Sequence, residues 1–206
     1  MSGLGDIFAR AATPRDYVAG ARDRLQALVA GMDVDGAVQL IEALERANDG
    51  DATVFVLGNG GSGAVAAHWV TDLGVNTIVA DRPGYRVVSL GDSPSSLTAV
   101  GNDIDFSEVF VAQLRAGLRP GDVVIALSVS GNSLNVVRAI EYANEVGAIT
   151  VAMTGMDGGK LKALADISIH TESTNDEYGP IEDMFSVFMH VVTGYIAQRR
   201  GRVLHH

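Results

Sequence analysis

Two stretches rich in glycine and serine have the composition of anion-binding loops, and the helix expected behind the first carries a histidine and an aspartate. Thr53–Asp72 reads TVFVLGNGGSGAVAAHWVTD. The apolar run Val54, Phe55, Val56, Leu57 stops at Gly58, Gly60, Gly61 and Gly63, after which alanines and valines recur at helical spacing. That order predicts a buried strand, a tight turn and a helix. Gly58, Gly60 and Gly61 let the backbone approach a ligand, while Ser62 takes the place of a helix N-cap and leaves unpaired N–H groups pointing out of the turn. Such a turn binds anions, phosphate above all. His68 and Asp72 stand at i and i+4, so both leave one helix face just beyond the anion pocket. One element thus offers a phosphate cradle and two polar groups able to do chemistry.

The second stretch, Ser128-Val129-Ser130-Gly131-Asn132-Ser133, follows the apolar run Val123–Leu127 and opens a helical pattern over Leu134–Val146. The first arrangement is repeated, this time with three hydroxyls.

The elements that must position these turns alternate along the chain. Residues 1–13 lack clear periodicity and are expected to be loose or partner-bound, and two amphipathic helices, Pro14–Met32 and Gly36–Asn48, precede any strand. With no crossover role, those helices are expected to pack on another subunit or to cap the fold, the subunit being the favoured reading. Tyr85–Leu90 reads as a strand. Ser93–Val100 reads as a helix broken by Gly101-Asn102-Asp103, and Phe106–Leu114 as its resumption. Strands Ile149–Met153 and Ile167–His170 follow, with a long helix Ile181–Gln198 at the end. This alternation predicts an α/β fold, a doubly wound parallel sheet covered on both faces, with two extra N-terminal helices. Ligands of such sheets bind at the carboxyl ends of the strands.

The 206 residues suit one domain, residues 1–206, with 1–50 as the helical appendage and 51–200 as the α/β core. Twenty-five acidic against fifteen basic residues give a formal charge of −10, which argues against nucleic acid or an anionic membrane surface as a partner. An anionic substrate must then be held by local N–H and hydroxyl donors. No cysteine is present, so there is no disulfide framework and no thiolate metal site. Without a long apolar run or signal-peptide pattern, a cytoplasmic protein is the expectation. His205 and His206 have the look of a tag remnant and enter no site argument.

Gly58–Gly63 also satisfies G-x-G-x-x-G, with Asp81 about twenty residues on, as a dinucleotide site requires. A dinucleotide fold has no need of the hydroxyls Ser128, Ser130 and Ser133, whereas one phosphate gripped from two strand ends does. The pair of turns resembles the sugar isomerase (SIS) domain family, and within it the phosphoheptose isomerases. The resemblance runs from about Val54 to Ile196 and is carried by GNGGS at Gly58–Ser62, His68, GND at Gly101–Asp103, SGNS at Ser130–Ser133 and TG-x-DGGK at Thr154–Lys160.

The resemblance implies a flavodoxin-like SIS fold, a homotetramer, and interconversion of sedoheptulose 7-phosphate with a heptose 7-phosphate. It implies a phosphate held by Asn59, Gly60, Gly61, Ser62, Ser128, Ser130 and Ser133, with Asp103 and Glu182 toward the sugar. Metal and acid–base positions fall on His68, Asp72, Glu182 and His190. Asp72 and His190 would be the proton-transfer groups, beside one Zn²⁺ per subunit. In purely spatial terms, Glu182 and His190 lie at i and i+8, within about 80° of one another around a helix. If the two helices meet, two imidazoles and two carboxylates converge, a set suited to Zn²⁺ or another divalent ion. The bland alternative is a core His190 within Phe188-Met189-His190-Val191-Val192, with Glu182 and Asp183 merely favouring a helix start after Pro180.

Aldose–ketose isomerisation passes a proton between C1 and C2 through an enediol, and so requires a base, an acid and an oxyanion stabiliser. The chain departs from the pattern it resembles, which has Glu at Asp72, Gln at Glu182, Thr at Val129 and a basic residue near Asn76. An aspartate retracts its carboxylate by one methylene, roughly 1.5 Å, where ~1 Å misplacements cost about a hundredfold in rate. Two other readings use the same fold: a non-catalytic tetrameric scaffold of the DnaA initiator-associating type, and a sugar-phosphate-binding regulator.

Overall fold

The structure, a computed structural model, describes residues 3–202. Three helices come first: α1 (Leu4–Arg10), α2 (Pro14–Ala30) and α3 (Val34–Asp49). Strand β1 (Thr53–Gly58) leads into α4 (Gly60–Trp69), which runs on as a π-helical stretch, Val70–Val75. Then follow β2 (Arg86–Ser89), α5 (Pro94–Asp103), a 3-10 turn at Phe106–Glu108, α6 (Val111–Arg115), β3 (Val123–Ser128) and α7 (Leu134–Val146). The chain ends with β4 (Ile149–Thr154), α8 (Leu161–Leu164), β5 (Ile167–His170) and α9 (Tyr178–Arg199). All four strand pairings are parallel, in the order β2-β1-β3-β4-β5. The fold is the doubly wound α/β arrangement expected.

Each central strand is buried on both faces, which is why its sequence is an apolar run rather than an alternation. On one face Val54, Val56, Ile125 and Leu127 pack against Leu40, Leu44, Trp69, Phe185 and Phe188. On the other, Phe55, Leu57, Val124 and Ala126 meet Phe110, Leu114, Val137 and Ile140. The strand order reverses between β1 and β3, whose ladder ends at Gly58 opposite Leu127. Their carboxyl ends are therefore the switch point, and both glycine turns leave from it.

Three expectations are corrected. Among the described residues of the first segment, Leu4–Arg10 is helical rather than loose, though too short to show a period. The second early helix is not reserved for a partner: α3 buries Leu40, Ala43 and Leu44 completely and covers its own sheet. Of the two predicted helices α2 is the one that stays largely outside, burying Leu28 alone. The Gly101-Asn102-Asp103 triplet does not break α5, which continues to Asp103 before Val100 O accepts from Ile104 N and Asp105 N at 3.0 and 3.1 Å. A helical glycine costs only about 1 kcal/mol, and here Phe106 and Val109 pack beside Gly101.

An ion pair ties α2 to the start of α9. Arg24 Nε and Nη2 donate to the two oxygens of Glu177 at 2.7 and 2.8 Å, and Thr174 N–H adds a third bond at 2.9 Å. Glu177 is fully buried. Burial raises its pKa, but the Arg24 and Thr174 hydrogen bonds outweigh that and hold it below the ordinary glutamate value.

Candidate active site

The first turn is built differently from the simplest reading of its sequence. Gly60 takes φ +55° and opens α4, so Asn59 stands at the N-cap and Ser62 lies inside the first helical turn. A Cβ on Gly58 would sit 2.8 Å from the Ser62 backbone, and one on Gly63 would sit 2.8 Å from the Gly58 carbonyl oxygen. Those two glycines therefore serve the close crossing of β1 and α4 rather than a ligand. At Gly61 the space a Cβ would take is filled by the Glu182 carboxylate, while at Gly60 it is open.

The second turn leaves β3 beside the first. Gly131, at φ +62°, lies so close to Gly158 that a Cβ would fall 1.9 Å from the Gly158 carbonyl oxygen. The Thr154–Lys160 loop braces this turn from below: Gly155 N donates to Val129 O at 3.0 Å, Leu161 N to Gly131 O at 3.1 Å, and Lys160 N to Asn132 Oδ1 at 3.2 Å. Ser133 is the N-cap of α7, yet its hydroxyl makes no capping bond. It faces Ser128 Oγ at 3.5 Å.

Between the two turns lies a cavity of about 270 Å³. The predicted Asn59, Gly60, Gly61, Ser62, Ser128, Ser130 and Ser133 all line it, as does Glu182. Tyr178 also lines it, a residue that sequence reasoning missed for want of any motif around it. Hydroxyls and the first turns of α4 and α7 make it suited to an anion, with no lysine or arginine on its wall. Its one charged residue is an acid: Glu182 Oε1 accepts from Ser62 Oγ at 3.1 Å.

Further along α4, the helix widens into its π-helical stretch at Asp72. His68 Nε2 lies 3.3 Å from Asp72 Oδ1, and His190 Nε2, reaching in from α9, lies 3.5 Å from Asp72 Oδ2. The two imidazoles meet edge to face at 5.1 Å between centroids. Asn76 Nδ2 donates to Asp72 Oδ1 at 3.1 Å, orienting the carboxylate. Sequence reasoning missed Asn76 as a partner of Asp72, although its i+4 spacing was a signal. His190 is about half exposed, so it is no core histidine. One ligand atom from each of His68, Asp72 and His190 lies within 4.8 Å of the others, a metal-compatible set. The donors, two imidazole nitrogens and a carboxylate oxygen, suit a first-row divalent ion with a position left open.

Two predicted residues stand apart. Glu182 is outside the His68–Asp72–His190 group. Eight residues bring it round to nearly the same side of α9 as His190 but about 12 Å down the axis, and its carboxylate turns into the anion cavity. Asp103 is exposed at the end of α5, bonded by Asn102 Nδ2 at 2.7 Å, and is not among the residues lining the cavity. The uninterrupted course of α5 carries it there.

The SIS domain family matches residues 16–155 of this chain. The chain is 41% identical over 145 residues to the phosphoheptose isomerase of Mycobacterium tuberculosis, spanning 70% of this chain and 72% of that one. It is 33% identical over 180 residues, 87% of this chain and 94% of the other, to a probable phosphoheptose isomerase of Thermoplasma acidophilum. Among solved structures, the phosphoheptose isomerase of Neisseria gonorrhoeae aligns with a TM-score of 0.80 at 30% identity, covering 90% of this chain and all of that one. The sugar isomerase domain of an RpiR transcription factor from Sphaerobacter thermophilus, with a TM-score of 0.65 at 23% identity over 93% of each chain, shares the fold alone. With the sheet order, both glycine turns and relatives of this identity in agreement, the chain belongs to the SIS domain family, among the phosphoheptose isomerases.

Proposed function

We propose that this protein is an aldose–ketose isomerase interconverting sedoheptulose 7-phosphate and D-glycero-D-heptose 7-phosphate. The observation that carries the reading is one helix joining two sites. Ser62 at the start of α4 lines the anion cavity, and His68, six residues or about 9 Å along, belongs to the His–Asp–His group. That separation suits a phosphorylated sugar with its phosphoryl group at one end and its carbonyl at the other.

In this reading the phosphate sits on Ser62, Ser128, Ser130 and Ser133 and the backbone of the Asn59–Gly61 turn. Asp72 Oδ2 takes the proton from the carbon beside the carbonyl and returns it to the neighbouring carbon. His190, through whichever ring nitrogen is not given to an ion, moves the proton between the two oxygens, so the enediol forms and collapses with no net change in protonation. Asn76 holds Asp72 in place. His68, Asp72 and His190 are the residues that would hold a divalent ion, Zn²⁺ by donor type, which when bound supplies Lewis-acid polarisation of the carbonyl.

We further infer that residues 1–206 act as one SIS unit in a cytoplasmic homotetramer that binds no nucleic acid. In support, α2 leaves Val18 64% exposed and α1 leaves Phe8 71% exposed, and the net charge is −10. Among the described residues no helix is long and apolar enough to cross a membrane.

The test is purified protein with sedoheptulose 7-phosphate, followed by NMR with and without a chelator. Turnover that is lost on chelation and restored by Zn²⁺ is expected. Tight binding without turnover in the metal-loaded protein overturns the enzyme reading in favour of a scaffold or a regulator.

A further inference from the structure

Beyond the end of the β1–β3 ladder, one feature joins the two serine and glycine turns. Asn59 Nδ2 donates to Asn135 Oδ1, and Asn135 Nδ2 donates back to Asn59 Oδ1, both at 2.9 Å. Asn59 stands at the N-cap of α4 and Asn135 in the first turn of α7, so this reciprocal pair spans the two walls of the anion cavity. Among the described residues no other hydrogen bond crosses between these turns past Gly58 and Leu127. The orientation of the pair is set, because Val136 N donates to Asn135 Oδ1 at 3.0 Å, so that end must be oxygen. Asn135 is only 3% exposed, on a helix whose other buried side chains are apolar.

We propose that Asn135 is a positioning residue for the phosphate cradle, setting through Asn59 the distance between Ser62 on one turn and Ser128 and Ser133 on the other. The proposal rests on the reading of the cavity as a phosphate site. It also reassigns Asn59: its side-chain amide is engaged on Asn135, so it serves the ligand through its backbone. The donors of a rigid anion site bind best when they are held at the spacing of the anion's oxygens, so drift between the two turns weakens binding. A bracket of two charge-free hydrogen bonds in a buried setting is well suited to prevent such drift.

The experiment titrates inorganic phosphate into the full-length protein by calorimetry, for wild type, Asn59→Ala, Asn135→Ala and the double variant, with Zn²⁺ affinity measured alongside. Wild type should bind, each single variant should lose roughly tenfold or more, and the double variant should be no weaker than either single. Zn²⁺ affinity, governed by His68, Asp72 and His190, should not move. Should the alanine variants fail to fold, Asn135→Leu carries the test: it fills a similar space without adding a charge but can neither accept from nor donate to Asn59, and weaker phosphate binding is expected. Losses that simply add, or a loss confined to Asn59→Ala, would overturn the bracket. Failure of the wild type to bind phosphate at all would instead remove the cavity reading on which it stands.

Discussion

Replacing Glu182 by glutamine should tighten phosphate binding, although it alters a residue lining the site. The cavity offers hydroxyls and helix starts but no cation, and its one charged wall residue is the carboxylate that accepts from Ser62 at 3.1 Å. A phosphoryl oxygen seated on Ser62 would lie within about 5 Å of that carboxylate. With an effective dielectric near 20, each unit of phosphate charge is then opposed by roughly 3 kcal/mol. The site is open to water, so a realistic remainder is about 1 to 2 kcal/mol, or a gain of roughly 5- to 30-fold in affinity for Glu182→Gln. The amide keeps an oxygen for Ser62 and adds a donor of its own, and it fits the same space beside Gly61. Calorimetric titration with inorganic phosphate at low and high salt provides the assay, and the advantage of the variant should shrink as salt rises. Equal or weaker binding by the variant at low salt would show that Glu182 leaves the cavity when the anion arrives, and the repulsion argument would be refuted.

Other consequences can be checked on the same protein. His190→Ala should lower kcat by roughly 10²- to 10⁴-fold in the sedoheptulose 7-phosphate assay. It should also weaken Zn²⁺ binding in a competition titration, because it removes one of the three donors clustered among the described residues. Arg24→Ala leaves Glu177 buried without its guanidinium and should cost about 3 to 5 kcal/mol in urea unfolding. Because the folded-state pKa of Glu177 is depressed, its contribution to stability is present above the ordinary glutamate range and is lost as pH falls through the lower folded value. Urea midpoints measured from pH 7 downward should therefore fall more steeply in wild type than in Glu177→Gln. Gly131→Ala should destabilise by about 2 kcal/mol or more, since its φ is +62° and the new Cβ would meet the Gly158 carbonyl. Thermal unfolding checks that value.

Much of this protein was legible from residue order because its signals are local. Apolar runs of strand length ending in Gly58 and Ser128 mark the sheet, and the repeated strand–turn–helix pattern marks both anion turns. His68 and Asp72, at i and i+4 on one helix, were bound to be neighbours whatever the rest of the chain did, and they are. The misreadings fall where a local rule met tertiary packing. Gly101 marks a helix break by propensity, yet Phe106 and Val109 pack beside it and α5 runs through. Ser62 has an N-cap's chemistry, but the left-handed Gly60 starts the helix three residues sooner, with Asn59 as the cap.

Residue order alone determined a parallel α/β sheet with two phosphate-type turns and a His–Asp pair on the first helix. Only the packing of α9 against α4 decided which of its polar residues joins that pair. The helical period places Glu182 and His190 on nearly the same side, but a rise of 1.5 Å per residue separates them along the axis. His190 therefore reaches Asp72 while Glu182 is delivered to Ser62. The angle around a helix can be counted from the sequence; the height at which it meets its neighbour is set by the burial of Phe185, Phe188 and Trp69 between the two helices and the sheet.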